Sequence, residues 1–227
     1  MAKLRKFSEI AALAGTHHGG PRGLKAKLAG GEWDPHGLER SDDRFLAGMT
    51  HAIFSSGFSW TVVEQKWPGF EKAFHGFNPR RVALYSDDDL ARLLKDTRII
   101  RNGAKIRSTI ENAGFVIATA KEHGSFGKFL RQWPTGDQVG LMEHLKKNAS
   151  RLGGATAMYF LRFNDWDSFI LSKDVTRALI RESVIDKPAT SKKALRAVQD
   201  AFNAWTRESG RPQREVSRIL ALSVGPS

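Results

Sequence analysis

Along most of the chain, apolar side chains recur every three or four residues, the spacing that places them on one face of a helix. Ser41 or Asp42 offers an N-cap ahead of Phe45, Leu46, Met49, Ile53 and Phe54. Ser59 is placed to cap a second helix with Trp60, Val63, Trp67, Phe70 and Phe74 on one side. Asn78-Pro79 stops the chain and restarts it, since proline fits a first helical turn. Ser86-Asp87-Asp88-Asp89 sets acids at the start of the next helix, whose stripe is Leu90, Leu93 and Leu94. After a tight connection at 98–103, residues 104–122 form a longer helix through Ile106, Ile110, Ala113, Ile117 and Ala120. Shorter helices are predicted over 125–133, 137–148, 156–163 and 175–184, and two more, 191–208 and 212–222, close the chain. No alternating run suggests a strand, so the predicted fold class is all-α.

The N-terminal signals are weaker. Residues 16–37 carry eight glycines or prolines, which predicts a loop-rich lid with one short basic helix over 22–28. Two lobes are expected: a central helical bundle over 45–160, and a discontinuous lobe from 1–44 plus 161–227, with a cleft between them.

Composition narrows the chemistry. The 227 residues include no Cys, which excludes disulfides, Cys-ligated zinc, iron–sulfur clusters and thiol nucleophiles. Hydrophobic residues at 41% are enough for a real core. The formal net charge of +12 suggests a polyanionic partner, most simply nucleic acid. Residues 1–30 and 151–227 each carry a net +5, and the near-neutral middle still gathers Arg92, Lys95, Arg98, Arg101, Lys105 and Arg107 against one acid, Asp96. A run of this kind is also what an ordinary solvated face looks like. The apolar run Ile10 to Ala14 is too short for a signal sequence, and no stretch approaches the ~20 apolar residues of a membrane helix, so a cytoplasmic location is expected.

Residues 151–179 carry the most specific pattern. A basic helix ending near Asn148 leads into Gly153-Gly154, and another helix begins at Thr156. Unpaired backbone N–H groups at such a helix start bind phosphate. Asp174 follows Thr156 by eighteen residues, where an acid would ordinarily be an N-cap. Together, Gly153, Thr156 and Asp174 resemble the helix-hairpin-helix DNA glycosylase superfamily, in which a glycine-turn hairpin precedes an essential Asp at a comparable distance. Upstream, the chain resembles the 3-methyladenine DNA glycosylase I family. Three stretches carry the likeness: Ser56-Gly57-Phe58-Ser59-Trp60-Thr61-Val62-Val63, then Phe74-His75-Gly76-Phe77-Asn78-Pro79, then Ile99-Ile100-Arg101-Asn102-Gly103-Ala104-Lys105-Ile106 reaching Asn112-Ala113. They occur in the family's order and spacing, and the likeness covers roughly residues 45–180.

The resemblance implies a monofunctional enzyme that flips a damaged base, an alkylated purine such as 3-methyladenine, out of double-stranded DNA and hydrolyses its glycosidic bond. Asp174 is then the catalytic candidate, stabilising the developing oxocarbenium charge. Trp60 stands at the family's pocket position, and Trp33, preceded by Glu32, resembles the family's Glu-Trp-Gly element. A Trp in an apolar stripe is also plain core. Tyr159 is a further pocket candidate. For DNA docking the candidates are Gly153, Gly154, Arg151, Lys146 and Lys147 around the hairpin, Ser56 and Gly57 where relatives wedge the duplex, and Arg101 and Lys105 in the basic turn. Three departures matter. The family's zinc is held by two Cys and two His, so no metal or other cofactor is expected here. The family's base-reading Glu, eight residues before its Trp, corresponds to Ala52, leaving His51 and Glu32 as replacements. The Lys that marks strand-nicking relatives corresponds to Ala155. A monomer is expected. Alternatives are a non-catalytic relative that recognises damaged DNA, and a helical protein with basic surfaces and no DNA role.

Overall fold

The computed structural model describes residues 4–29, 34 and 36–225, and among them all regular structure is helical, with no strand. In chain order the α-helices are α1 (Phe7–His17), α2 (Gly20–Leu28), α3 (Asp42–Ser55), α4 (Trp60–Ala73), α5 (Pro79–Val82), α6 (Asp87–Lys95), α7 (Gly103–His123), α8 (Phe126–Gln132), α9 (Gln138–Asn148), α10 (Ala155–Phe163), α11 (Lys173–Arg181), α12 (Lys192–Ser209) and α13 (Gln213–Leu222). None of these helices is long and apolar enough to cross a membrane.

Short polar side chains set many of the starts. Ser86 and Asp89 form a reciprocal capping box on α6. Asn78, Asn102, Ser125, Ser172 and Ser191 each accept a backbone N–H from the first turn of the helix that follows. Ser41 and Ser59 occupy the expected N-cap positions of α3 and α4, without a side-chain hydrogen bond. Gly124 and Gly210 end α7 and α12 in the left-handed conformation.

The helices divide into two compact units. One comprises Pro35–Pro134 and Gly140–Trp166. Its centre is α7, which packs on α3, α5, α6 and α8. Phe45, Leu46, Met49, Ile53 and Phe54 of α3 are buried, as are Ile106, Ala113 and Val116 of α7. Trp67, Phe70, Phe74 and Phe77 stack in series beside them. Gly69, inside α4, lets this helix touch the 98–103 connection, since a Cβ there would lie 2.4 Å from the Arg98 carbonyl oxygen.

The other unit comprises Met1–Asp34, Thr135–Val139 and Asp167–Ser227. Here α1 packs on α2, α12 and α13, and α11 packs on α13. The carboxylate of Asp167 accepts the backbone N–H groups of Gln213 and Arg214, fixing the start of α13. Gln138 exchanges two hydrogen bonds with the backbone of Phe169.

The short basic helix expected over 22–28 is present and starts two residues earlier, at Gly20, while residues 30–33 and 35 of the expected lid lie outside the described residues. Ahead of it residues 7–17 form a helix that the pattern does not predict, with Phe7, Ile10 and Ala14 buried. Gly19 and Gly20 turn the chain between the two helices at positive φ, and Gly23 allows a close local approach, since a Cβ there would lie 1.6 Å from the His18 carbonyl oxygen. The helix expected over 175–184 is shifted earlier, because Ser172 is its cap and Ser183 turns to a positive φ.

Gly69→Ala is expected to lower stability by about 1–3 kcal/mol through overpacking against backbone, offset by up to about 1 kcal/mol of helix propensity. A denaturant midpoint equal to that of the unmodified protein would refute this close approach.

Candidate active site

The first candidate feature is an aromatic concavity in the Pro35–Trp166 unit. Trp60 opens α4, and its ring lies 5.7 Å from Tyr159, 5.2 Å from Phe163 and 5.3 Å from His51, centroid to centroid. The His51 ring lies 4.9 Å from that of Trp67, one helical face further along α4. Trp60 and Phe163 are 39% and 55% exposed, so both present ring surface to solvent. Beside them lies a cavity of about 390 Å³, lined by Ala52, His51, Glu64, Trp67 and Phe163 among others. That volume suits one small flat ligand. The structure thus brings together Trp60, Tyr159 and His51, three of the pocket candidates. Trp33 and Glu32 lie outside the described residues.

Charge in this cavity is organised by pairing. Arg44 lines it, but its guanidinium bonds both oxygens of Glu71, the Asp43 carboxylate and the Gly76 carbonyl. Its hydrogen bond to Glu71 raises its pKa further above the usual arginine range. Arg40, also in the lining, bonds the Asp165 carboxylate. His51 Nε2 lies 2.8 Å from Glu64 Oε1. Glu64 was not legible as a site residue, although it sits one helical turn beyond Trp60 and so on the same face.

The second feature is the turn between α3 and α4, residues 56–59. Ser56 and Gly57 are exposed, and Gly57 has φ +78°. Lys105 comes from α7 and is buried; its ammonium donates to the carbonyls of Phe54 (3.2 Å) and Ser56 (2.6 Å) and lies 4.8 Å from the centre of the Phe58 ring. Burial, then the charge of Arg151, lowers its pKa. The expectation that Lys105 contacts DNA phosphate from a basic turn is therefore corrected: its ammonium is engaged inside the protein, capping α3. Arg101, in the same connection, is exposed. Phe58, at the tip of the turn, is 44% exposed.

The third feature is the α9–α10 hairpin. Fully buried Asn112 of α7 accepts the Ser150 N–H at 2.7 Å and donates to the Ser150 carbonyl at 3.0 Å. Leu152 is buried beneath the turn, while Lys146, Lys147 and Arg151 are exposed around it. Gly154 is the N-cap of α10 with φ 56° and ψ −131°, a backbone state closed to other residues, and no side chain caps the helix. The first N–H groups of α10 therefore have no side-chain partner at their cap, as a phosphate-binding helix start requires.

Asp174 belongs to the other unit. It is in the first turn of α11, where Ser172 supplies the cap through a hydrogen bond from the Val175 N–H. Its side chain is half-exposed and lies 3.7 Å from Arg177. Among the described residues, no three His, Asp or Glu side chains gather as metal ligands would. His144 is packed against Phe115, Phe129 and Trp133, and burial lowers its pKa.

Comparison with known proteins follows the same segment. The model of the methyladenine glycosylase family matches residues 31–159. The DNA-3-methyladenine glycosylase 1 of Escherichia coli is 40% identical over 58 residues, covering 26% of this chain and 31% of that protein. The DNA-3-methyladenine glycosylase of Haemophilus influenzae is 28% identical over 122 residues, covering 46% of this chain and 66% of that protein. The chain thus spans less than two thirds of the length of either curated relative. A crystal structure of 3-methyladenine DNA glycosylase I superposes with a TM-score of 0.51 at 26% identity, covering 63% of this chain and 88% of that one.

Replacing Asn112 with Ala leaves both Ser150 backbone groups unpaired in a buried place. It is expected to cost about 1–3 kcal/mol of stability. Duplex-DNA affinity, measured at low salt, is expected to fall with it; affinity and stability both equal to the parent's would show that the clamp does not matter.

Proposed function

Because the chain belongs to the methyladenine glycosylase family, we propose that it is a monofunctional DNA glycosylase that removes an alkylated, 3-methyladenine-like purine from double-stranded DNA. The observation that carries this reading is the half-exposed Trp60, in ring contact with Tyr159, Phe163 and His51, the last two of which line a cavity of about 390 Å³. The curated relatives carry the name of 3-methyladenine glycosylases, and the family model covers both the pocket helices and the hairpin turn.

Extruding a base from the duplex costs a few kcal/mol. Stacking on aromatic faces returns about 1–3 kcal/mol per base. The Gly153-Gly154 turn and the exposed Arg151, Lys146 and Lys147 would take the phosphate backbone, giving affinity that falls steeply with salt and carries no sequence information. Ser56, Gly57 and Phe58 form the turn that would enter the gap left by the extruded base.

Cleavage of the glycosidic bond builds positive charge on the sugar. An alkylated purine leaves as a neutral base from a cationic nucleotide, so one carboxylate beside the sugar suffices to stabilise the transition state and orient water. Asp174 is the proposed carboxylate. It stands in the first turn of α11, and Ser172 relieves it of the capping role. Ala155 stands where strand-nicking relatives carry Lys, so the product would be an abasic site with an intact backbone. The chemistry proposed needs no metal or cofactor.

One observation favours a second reading, recognition of damaged DNA without excision: Ala52 brings only a methyl group to the cavity. Incubation with methylated duplex DNA separates the two readings, since free methylated purine is expected as product, and tight binding without release would establish the second. Asp174→Asn is expected to slow base release by about two to four orders of magnitude without weakening DNA binding; full activity in that variant would remove Asp174 from the mechanism. Activity is expected to be unchanged by a chelator, and metal analysis to find well under one zinc per chain.

A further inference from the structure

The cavity beside Trp60 has an unusual charge balance for a protein of net charge +12. Its two arginines are both neutralised by carboxylates of their own: Arg44 by Glu71 and Asp43, Arg40 by Asp165. Among the described residues one carboxylate lines it, that of Glu64, whose side chain is 63% exposed and is paired with the His51 imidazole. His51 is pressed between Trp60 and Trp67, with ring centres 5.3 and 4.9 Å away, which fixes the ring that holds Glu64 Oε1 at 2.8 Å. Trp60, Glu64 and Trp67 are spaced i, i+4 and i+7, so one face of α4 presents an aromatic, a carboxylate and an aromatic in turn.

An imidazole N–H donated from Nε2 to Oε1 leaves the second carboxylate oxygen of Glu64, Oε2, to accept from a ligand. Aromatic faces attract cations through their quadrupole, and a carboxylate adds a charge-assisted acceptor. A flat, positively charged ring bearing N–H donors satisfies both features at once. A neutral ring of the same shape satisfies only the stacking. From this geometry we infer that Glu64, positioned by His51, is the group that selects a cationic, N-alkylated base over its neutral parent. The inference rests on the base-excision reading for its biological meaning, and it assigns the recognition role to a residue of α4 rather than to α3, where Ala52 faces the cavity.

The test separates recognition from excision by using free bases. Tryptophan fluorescence is followed as the protein is titrated with 3,9-dimethyladeninium, cationic at neutral pH, and with neutral 9-methyladenine. The unmodified protein is expected to prefer the cation by about tenfold or more, as one charge-assisted hydrogen bond allows. Glu64→Gln, which keeps shape and removes charge, is expected to abolish that preference while leaving the thermal midpoint and duplex-DNA affinity unchanged. His51→Gln retains an N–H donor and is expected to keep most of the preference; His51→Phe retains only the stacking and is expected to lose it. No preference in the unmodified protein, or a preference that survives Glu64→Gln, overturns the inference. Preference for the cation without release of base from methylated DNA would leave the recognition role standing and defeat the excision reading alone.

Discussion

Two side chains on one face of α7 hold the two exposed turns of the Pro35–Trp166 unit in place. Lys105 and Asn112 are seven residues apart, two helical turns, so they point the same way and about 10 Å separates them along the axis. Lys105 gathers the last carbonyls of α3 and so fixes the exposed turn carrying Gly57 and Phe58. Asn112 pairs with both backbone groups of Ser150 and so fixes the hairpin turn carrying Arg151 and Gly154. Both anchors are buried polar groups whose partners are backbone atoms. Such bonds are costly to leave unmade, so each turn has one favoured position relative to the helix. Trp60 directly follows the first turn and Tyr159 lies five residues after Gly154, and their rings meet at 5.7 Å.

Charge is distributed with the same economy. Exposed basic side chains are spread over both units, Lys25, Lys95, Lys121 and Lys193 among them, and Lys146, Lys147 and Arg151 add to them around the hairpin. Those that line the cavity are cancelled locally, Arg44 by two carboxylates and Arg40 by one. A pocket that left these guanidinium groups unpaired would repel a cationic base at short range, where low dielectric strengthens every interaction. Pairing therefore lets a strongly basic protein keep a cavity suited to positive charge, with Glu64 in its lining paired to His51.

The helices were legible because their determinants are local. From α3 onward the observed boundaries fall within about one to three residues of those expected from apolar periodicity and caps. The capping box at Ser86 and the Asn78-Pro79 restart were both plain in the sequence. The helix at 20–28 was legible to within two residues, but α1 was not, because its apolar positions Phe7, Ile10 and Ala14 run into the glycine-rich stretch in which Gly19 and Gly20 turn the chain at positive φ. Trp60, Tyr159 and the hairpin glycines were also recoverable, since they lie in motifs whose order and spacing are characteristic.

What the sequence alone determined is the set of elements, the absence of thiol and cysteine-metal chemistry, the surplus of positive charge and the family likeness. These depend on residue type and on spacing within one or two turns. Tertiary structure decided which polar side chains act outward and which act inward. Lys105 reads as one more base in a basic run until its ammonium is seen on carbonyls 49 and 51 residues away. Asn112 reads as a motif letter until it is seen on Ser150, 38 residues on, and Glu64 reads as a surface acid until His51 is beside it from another helix. No periodicity encodes such pairs, because the free energy that selects them belongs to the packed state, where a buried donor must find its acceptor wherever the chain has brought it.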